Sequence, residues 1–208
     1  MCVHDEIIPM ASDSDHQILA MAHDLGLLRP EDVQRSGLRR EYLARMARRG
    51  LLTRVGRGLY ALPTNLGTEQ RDLVVVAKFV PKGVICLLSA LRFHGLTDQD
   101  PAEVWLAMPR PSRIPRLDHP PLRVLLFSGD AYSTGIEHHM VEGVAVKVYS
   151  PAKTVADCFK YRNKVGLDVA LESLRDYRRT GGSMDDLWLA AKACRVQNVM
   201  RPYLEAMS

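Results

Sequence analysis

The sequence predicts an α+β protein, an N-terminal winged helix-turn-helix followed by a larger mixed α/β domain with a helical C-terminus. Three observations predict it. Within roughly 50 residues after a polar lead-in, the apolar pattern runs helix, helix, turn, helix, hairpin. The middle of the chain mixes helical periods with short β-prone runs. From Ser150 onward every pattern is helical, interrupted only at turn residues. The expected domains are residues 14–63 and 67–208.

The first helix carries Ile18, Leu19, Ala22 and Leu25 on one side, with Ser14 or Asp15 able to cap it and Gly26 to end it. A short second helix is entered by Pro30, with Glu31 and Asp32 in the first turn, where negative charge suits the helix dipole. Ser36-Gly37 forms a turn, and Ser36 is a good N-cap for a third helix from about Leu38 to Arg49, stopped by Gly50. Two β-prone runs, Leu51 to Val55 and Leu59 to Leu62, flank Gly56-Arg57-Gly58 and predict a hairpin. Pro63 to Gly67 reads as the linker.

Beyond it, Thr68 can cap a helix running through Leu73 to Phe79, which Pro81-Lys82-Gly83 breaks. Val84 to His94 reads as a second apolar helix, ended by Gly95. Val104 to Met108 and Leu122 to Phe127 read as strands joined by a loop rich in proline and arginine. Ile136 to Val141 and Val144 to Tyr149 alternate around Glu142-Gly143 and predict a hairpin. Ser150-Pro151 is a helix start, serine as N-cap and proline at the first helical position. Breaks are expected near Asn163 to Gly166, at Gly181-Gly182 and near Val196.

Composition bounds the function classes. A hydrophobic content of 47% with 25% charged residues is that of a globular chain. The formal net charge of +4 says less than where the charges lie. Cys2, Cys86, Cys158 and Cys194 are scattered without a Cys-x-x-Cys pair, and adjacent His138 and His139 would point to opposite faces of a strand. Reduced, buried thiols are expected, with no metal and no cofactor. Met1 to Ser14 lacks a basic segment followed by an apolar one, and no run nears the roughly 20 apolar residues of a bilayer span. The expectation is a cytoplasmic protein without a membrane partner.

Charge is concentrated in one place. From Leu38 to Gly58 there are seven arginines (Arg39, Arg40, Arg45, Arg48, Arg49, Arg54 and Arg57), no lysine, and a single acid, Glu41. Projected at about 100° per residue, Leu38, Tyr42, Leu43, Met46 and Ala47 of the third helix face inward, and Arg40, Glu41, Ala44, Arg45 and Arg48 outward. Arg40, Ala44 and Arg48 form an i, i+4, i+8 stripe with a small residue at its centre, which leaves room for guanidiniums to reach base edges or phosphates. Arg54 on the hairpin and Arg57 at its tip suit backbone phosphates or the minor groove. The candidate DNA-binding residues are therefore Ser36, Arg39, Arg40, Ala44, Arg45, Arg48, Arg49, Arg54 and Arg57, on double-stranded DNA. The blander alternative is a solvated basic face.

The run from Arg48 to Pro63 resembles the close of the N-terminal winged helix in AbiEi-type antitoxins. The likeness continues in Val80 to Leu91, His94-Gly95-Leu96, Val104 to Pro109 and Ser150 to Cys158. The resemblance implies a type IV toxin–antitoxin system, in which an antitoxin represses its own operon by binding operator DNA through the winged helix. It further implies antagonism, direct or indirect, of a nucleotidyltransferase-like toxin, with the C-terminal domain associated with that antagonism. A monomer or weak dimer on DNA is expected.

Other classes leave weaker traces. Asp98, Asp100 and Glu103, or Glu137 with His138, could suggest a nuclease centre, but Glu142 and Lys147 are too far apart for a Glu-x-Lys pair, and no nucleophile-elbow, P-loop or Rossmann glycine pattern occurs. Ser89 and His94 read as helix-packing residues, and no enzyme is expected. A ligand-sensing repressor without a toxin partner is the alternative, with Trp105, Phe127, Tyr132 and Tyr149 lining a pocket, although core packing accounts for them equally. Lys153, Asp157, Lys160, Arg162 and Lys164 form either a second basic surface, for DNA or an acidic partner, or a helix that packs Val155, Ala156 and Phe159 with its charges solvated.

Overall fold

Ser12 begins the first helix. In the computed structural model, which describes residues 12–63 and 69–206, its hydroxyl accepts from the Asp15 N–H and the Asp15 carboxylate accepts from the Ser12 N–H, each at 3.2 Å. This reciprocal pair satisfies two of the donors that a helix start leaves open. The cap therefore lies ahead of Ser14 and Asp15, which sit inside the first turn of α1 (Asp13–Leu25). The expected features at Met1 to Ala11, Thr64 to Gly67 and Thr68, and with them Cys2, lie outside the described residues.

Asp13 to Pro63 belong to the first of two units into which the chain divides, with the boundary between Thr68 and Glu69. Within it α1 is followed by α2 (Pro30–Arg35), α3 (Glu41–Arg48), β1 (Thr53–Gly56) and β2 (Leu59–Ala61). Ile18, Ala22, Leu28, Val33, Leu43, Met46 and Leu52 form its buried core. Fully burying a leucine or isoleucine side chain contributes about 1.5–3 kcal/mol, so this small set is what holds α3 in place. Leu25, expected on the buried side of α1, is 42% exposed.

Ser36 does not cap α3. It closes α2, its hydroxyl donating to the Asp32 carbonyl at 3.2 Å and lying 3.3 Å from the Met21 sulfur. Gly37 then turns the chain at φ +78°, and α3 starts only at Glu41, with no side-chain cap. β1 and β2 pair antiparallel with Thr53 opposite Ala61 and a register shift between Arg54 and Gly56. Leu28 and Tyr60 exchange backbone hydrogen bonds at 2.8 and 3.0 Å, tying the α1–α2 connection to the hairpin.

The second unit is a five-stranded mixed sheet in the order β5-β4-β3-β7-β6. Its elements are α4 (Glu69–Phe79), β3 (Val84–Ile85), α5 (Leu87–Phe93), β4 (Val104–Pro109), β5 (Leu122–Phe127), α6 (Asp130–Ser133), β6 (Ile136–Val141) and β7 (Val144–Tyr149). They are followed by α7 (Pro151–Lys160), α8 (Arg162–Val165), α9 (Leu167–Arg179), α10 (Met184–Cys194) and α11 (Gln197–Ala206). β4 shows the two-residue alternation of a strand buried on both faces. Trp105 and Ala107 join one core, with α5, α7, α9 and α10, while Val104, Leu106 and Met108 join the other, with α4.

Val84 to His94 is not one helix. Val84 and Ile85 pair with β4 on one side and β7 on the other, and the helix begins at Leu87. Gly83 permits this, because a Cβ there would stand 2.7 Å from a Leu106 methyl. Ser150 caps α7 by accepting from the Lys153 N–H at 3.3 Å, with Pro151 at the first helical position. Cys86, Cys158 and Cys194 are buried free thiols. Among the described residues no helix is long and apolar enough to cross a membrane. No cluster of three or more His, Cys, Asp or Glu is placed to hold a metal ion there.

Candidate nucleic-acid interface

α3 buries Leu43 and Met46 completely and leaves Ala44 and Arg48 in solvent. Arg39 and Arg40, immediately before the helix, are exposed as well, so the stripe Arg40, Ala44, Arg48 does face outward. Arg40 makes one loose contact, 3.4 Å from Glu41, with both side chains about two-thirds exposed. Such a pair holds the guanidinium weakly. Arg48 and Arg57 have no side-chain partner among the described residues. Arg57 is exposed between Gly56 and Gly58, the latter at φ +66°, which lets the hairpin reverse over a single long side chain.

Two of the candidate arginines are committed to the fold. Arg45 Nη2 donates to Asp15 Oδ1 at 3.0 Å, and Arg49 Nη1 donates to Asp15 Oδ2 at 2.6 Å. The Asp15 side chain is 1% exposed. Burial pushes its carboxyl up, but the hydrogen bonds from Arg49, the Ser12 backbone and Arg45 outweigh that and bring the pKa down to about 2. Arg45 also lies over the Tyr42 ring at 4.4 Å. The outward position that the helical projection gives Arg45 is thus corrected. A long side chain at the edge of the buried face turns back to a carboxylate on α1. Arg54 is partly tied too, its Nε donating to the Gly56 carbonyl at 3.2 Å within the hairpin. Ser36 stays exposed at the end of α2.

The arrangement is a helix pinned at two points to α1, presenting Arg39, Arg40 and Arg48 around Ala44, with a further free guanidinium at the hairpin tip. The two anchors fix the backbone from which these side chains extend and leave the exposed guanidiniums themselves free. Sequence reasoning missed the role of Asp15. The available signal was an acid three residues after Ser12, which reads as a capping box but says nothing of two arginines 30 and 34 residues away.

In the second unit the candidate basic surface around α7 is divided: Lys153 and Asp157 are interior, Arg162 is half-buried, and Lys160 and Lys164 are exposed. Lys153 and Asp157 are buried and paired at 2.6 Å, with Lys153 Nζ 4.0 Å from the centre of the Tyr149 ring. Burial pushes the Asp157 carboxyl up, against the pull of Lys153. Lys160 donates to the Cys194 carbonyl and Arg162 to that of Phe159, both at 3.0 Å. Ser89 accepts from the Trp105 N–H at 3.0 Å, and His94 Nε2 is 2.7 Å from the Tyr149 carbonyl, so each has a structural partner. Trp105, Phe127 and Tyr149 are buried in the core, and Tyr132 bonds the Lys82 carbonyl.

Comparison with known proteins agrees with this architecture. The fold is similar to that in the crystal structure of the RV2827C protein from Mycobacterium tuberculosis, with a TM-score of 0.58 at 15% identity over 87% of this chain and 75% of that one. No curated protein matches the chain. Residues 16–63 match the family model described as transcriptional regulator, AbiEi antitoxin, which bears out over that segment the resemblance read from the sequence.

Proposed function

We propose that the chain is the antitoxin of a toxin–antitoxin pair and represses its own operon. In this reading α2, the Ser36-Gly37 turn and α3 act as the helix-turn-helix, and β1–β2 acts as the wing. α3 enters the major groove of operator DNA, Arg40 and Arg48 reach base edges or phosphates across Ala44, and Arg57 contacts the backbone beside it. The partner antagonised is a nucleotidyltransferase-like toxin. The occupied promoter is closed to polymerase by simple occlusion.

The observation that supports the reading best is the division of labour among the arginines. Two are committed to a buried carboxylate, while Arg39 and Arg40 just before α3, Arg48 at its end and Arg57 at the hairpin turn stay exposed. A merely solvated face has no need of a doubly anchored helix beneath it. Arginine rather than lysine suits the role, because its planar fork can bind guanine or phosphate through two parallel hydrogen bonds.

A titration of duplex DNA from upstream of the gene tests DNA recognition, with a shuffled duplex of the same length as control. Specific binding weakens steeply with salt, by a slope of about 0.9 per phosphate contacted. Equal affinity for both duplexes at physiological salt contradicts operator reading. Co-expression with the neighbouring nucleotidyltransferase gene tests the antitoxin role, which fails if growth is arrested equally with and without this chain.

A further inference from the structure

A cleft of about 450 Å³ opens in the second unit where the ends of β4 and β5 meet α7 and α10. Four cations line it, Arg110, Lys160, Lys192 and Arg195, against two acids, Asp130 and Asp157. Asp157 is already matched by Lys153 behind it, at 2.6 Å and equally buried, so the cleft carries three positive charges in excess. Arg110 Nε donates to the Leu126 carbonyl at 3.3 Å and Lys160 Nζ to the Cys194 carbonyl at 3.0 Å, which fixes both on the walls. Lys192 and Arg195 are exposed, and neither side chain has a partner among the described residues.

Arg195 adds an independent sign. It holds a left-handed backbone, φ 57° and ψ 44°, at the C-cap of α10. Glycine is the ordinary residue for such a cap, because the Cβ of an L side chain there crowds the following carbonyl oxygen. A guanidinium kept at the edge of a cationic cleft in that conformation is strain of the kind that collects at binding sites.

We propose that this cleft binds a small multivalent oxyanion, a phosphate ester or a polycarboxylate. Its volume is that of a small-molecule site. Arginine and lysine heads converging from several elements supply the charge-assisted hydrogen bonds that such an anion needs. Asp157 and Cys194 among its lining residues are buried, so the floor of the cleft is interior. The site belongs to a different unit from α3 and is independent of the operator reading.

Calorimetric titration of the full chain at low ionic strength tests it, with inorganic tripolyphosphate and citrate as probes. Saturable binding of one equivalent is expected, and the stronger probe distinguishes phosphate from carboxylate. The double variant Lys192→Ala/Arg195→Gly weakens binding by about tenfold or more, while its melting temperature stays level or rises because glycine relieves the left-handed residue. A charge-matched control in the β4–β5 connection, Arg113→Ala/Arg116→Ala, stays within about twofold of the unaltered chain. The proposal is overturned if neither probe binds saturably, if both double variants lose binding equally, or if a short random duplex displaces bound tripolyphosphate.

Discussion

Arg49 Nη1 lies 2.6 Å from Asp15 Oδ2, joining the end of α3 to the first turn of α1 across 34 residues of sequence, and Arg45 takes the other carboxylate oxygen at 3.0 Å. The carboxylate is the hinge pin of the arginine-bearing helix. Asp15→Asn removes its charge and leaves two guanidiniums facing a neutral amide. The lowered pKa, from 3.8 to about 2, corresponds to about 2.5 kcal/mol at most, and solvent around the partly exposed arginines screens it to about 1 kcal/mol. Because the folded-state pKa is depressed, this stability is fully present above about pH 4 and is lost as the pH falls toward 2. Urea unfolding at about pH 7 and about pH 2.5 checks it: the gap between the two proteins narrows at the lower pH.

Arginines that look alike in the sequence separate in the laboratory. Arg45→Ala and Arg49→Ala lower thermal stability, because each leaves the buried Asp15 with one partner fewer. Arg40→Ala and Arg48→Ala leave it unchanged within about 0.5 kcal/mol, since their side chains are exposed. Melting curves of the four variants measured side by side check this, and an equal loss in all four contradicts the assignment.

The Lys153–Asp157 pair is a structural commitment rather than a surface. Lys153→Met strands a buried carboxylate and costs about 3–5 kcal/mol, whereas Lys153→Met combined with Asp157→Leu recovers more than half of that loss. Chemical denaturation of the single and double variants measures the difference. A single variant as stable as the parent contradicts the pairing.

Two glycines with similar backbones differ in their surroundings. Gly135, at φ +71°, has no room for a Cβ, which would stand 2.7 Å from Lys153 Cβ and 3.0 Å from the capping Ser150 hydroxyl. Gly143, at φ +77° in the β6–β7 turn, has nothing within 4 Å. Gly143→Ala therefore costs only the left-handed penalty of about 1 kcal/mol, and Gly135→Ala about 1–3 kcal/mol more. Equal losses on denaturation sink that distinction.

Periodicity made α3 and its outward stripe legible, since buried Leu43 and Met46 and exposed Ala44 and Arg48 follow from spacing alone. Ser150-Pro151 gave the start of α7 for a similarly local reason. What stayed hidden depended on partners distant in sequence. Nothing near Arg45 or Arg49 announces Asp15, so their charges read as free. Val84-Ile85 joined an apolar run whose helical and extended readings cannot be told apart by period, and only pairing with β4 and β7 decides for the strand. Ser36 could serve either neighbouring helix, and its bond to the Asp32 carbonyl settles which.

Fluorescence anisotropy with the upstream duplex, comparing the unaltered chain with Arg40→Ala/Arg48→Ala/Arg57→Ala, is the most direct measurement. None of these side chains pairs with Asp15, so the variant keeps its melting temperature. The predicted result is an affinity loss of about 100-fold or more together with a shallower salt slope. An unchanged affinity and an unchanged slope would contradict the account.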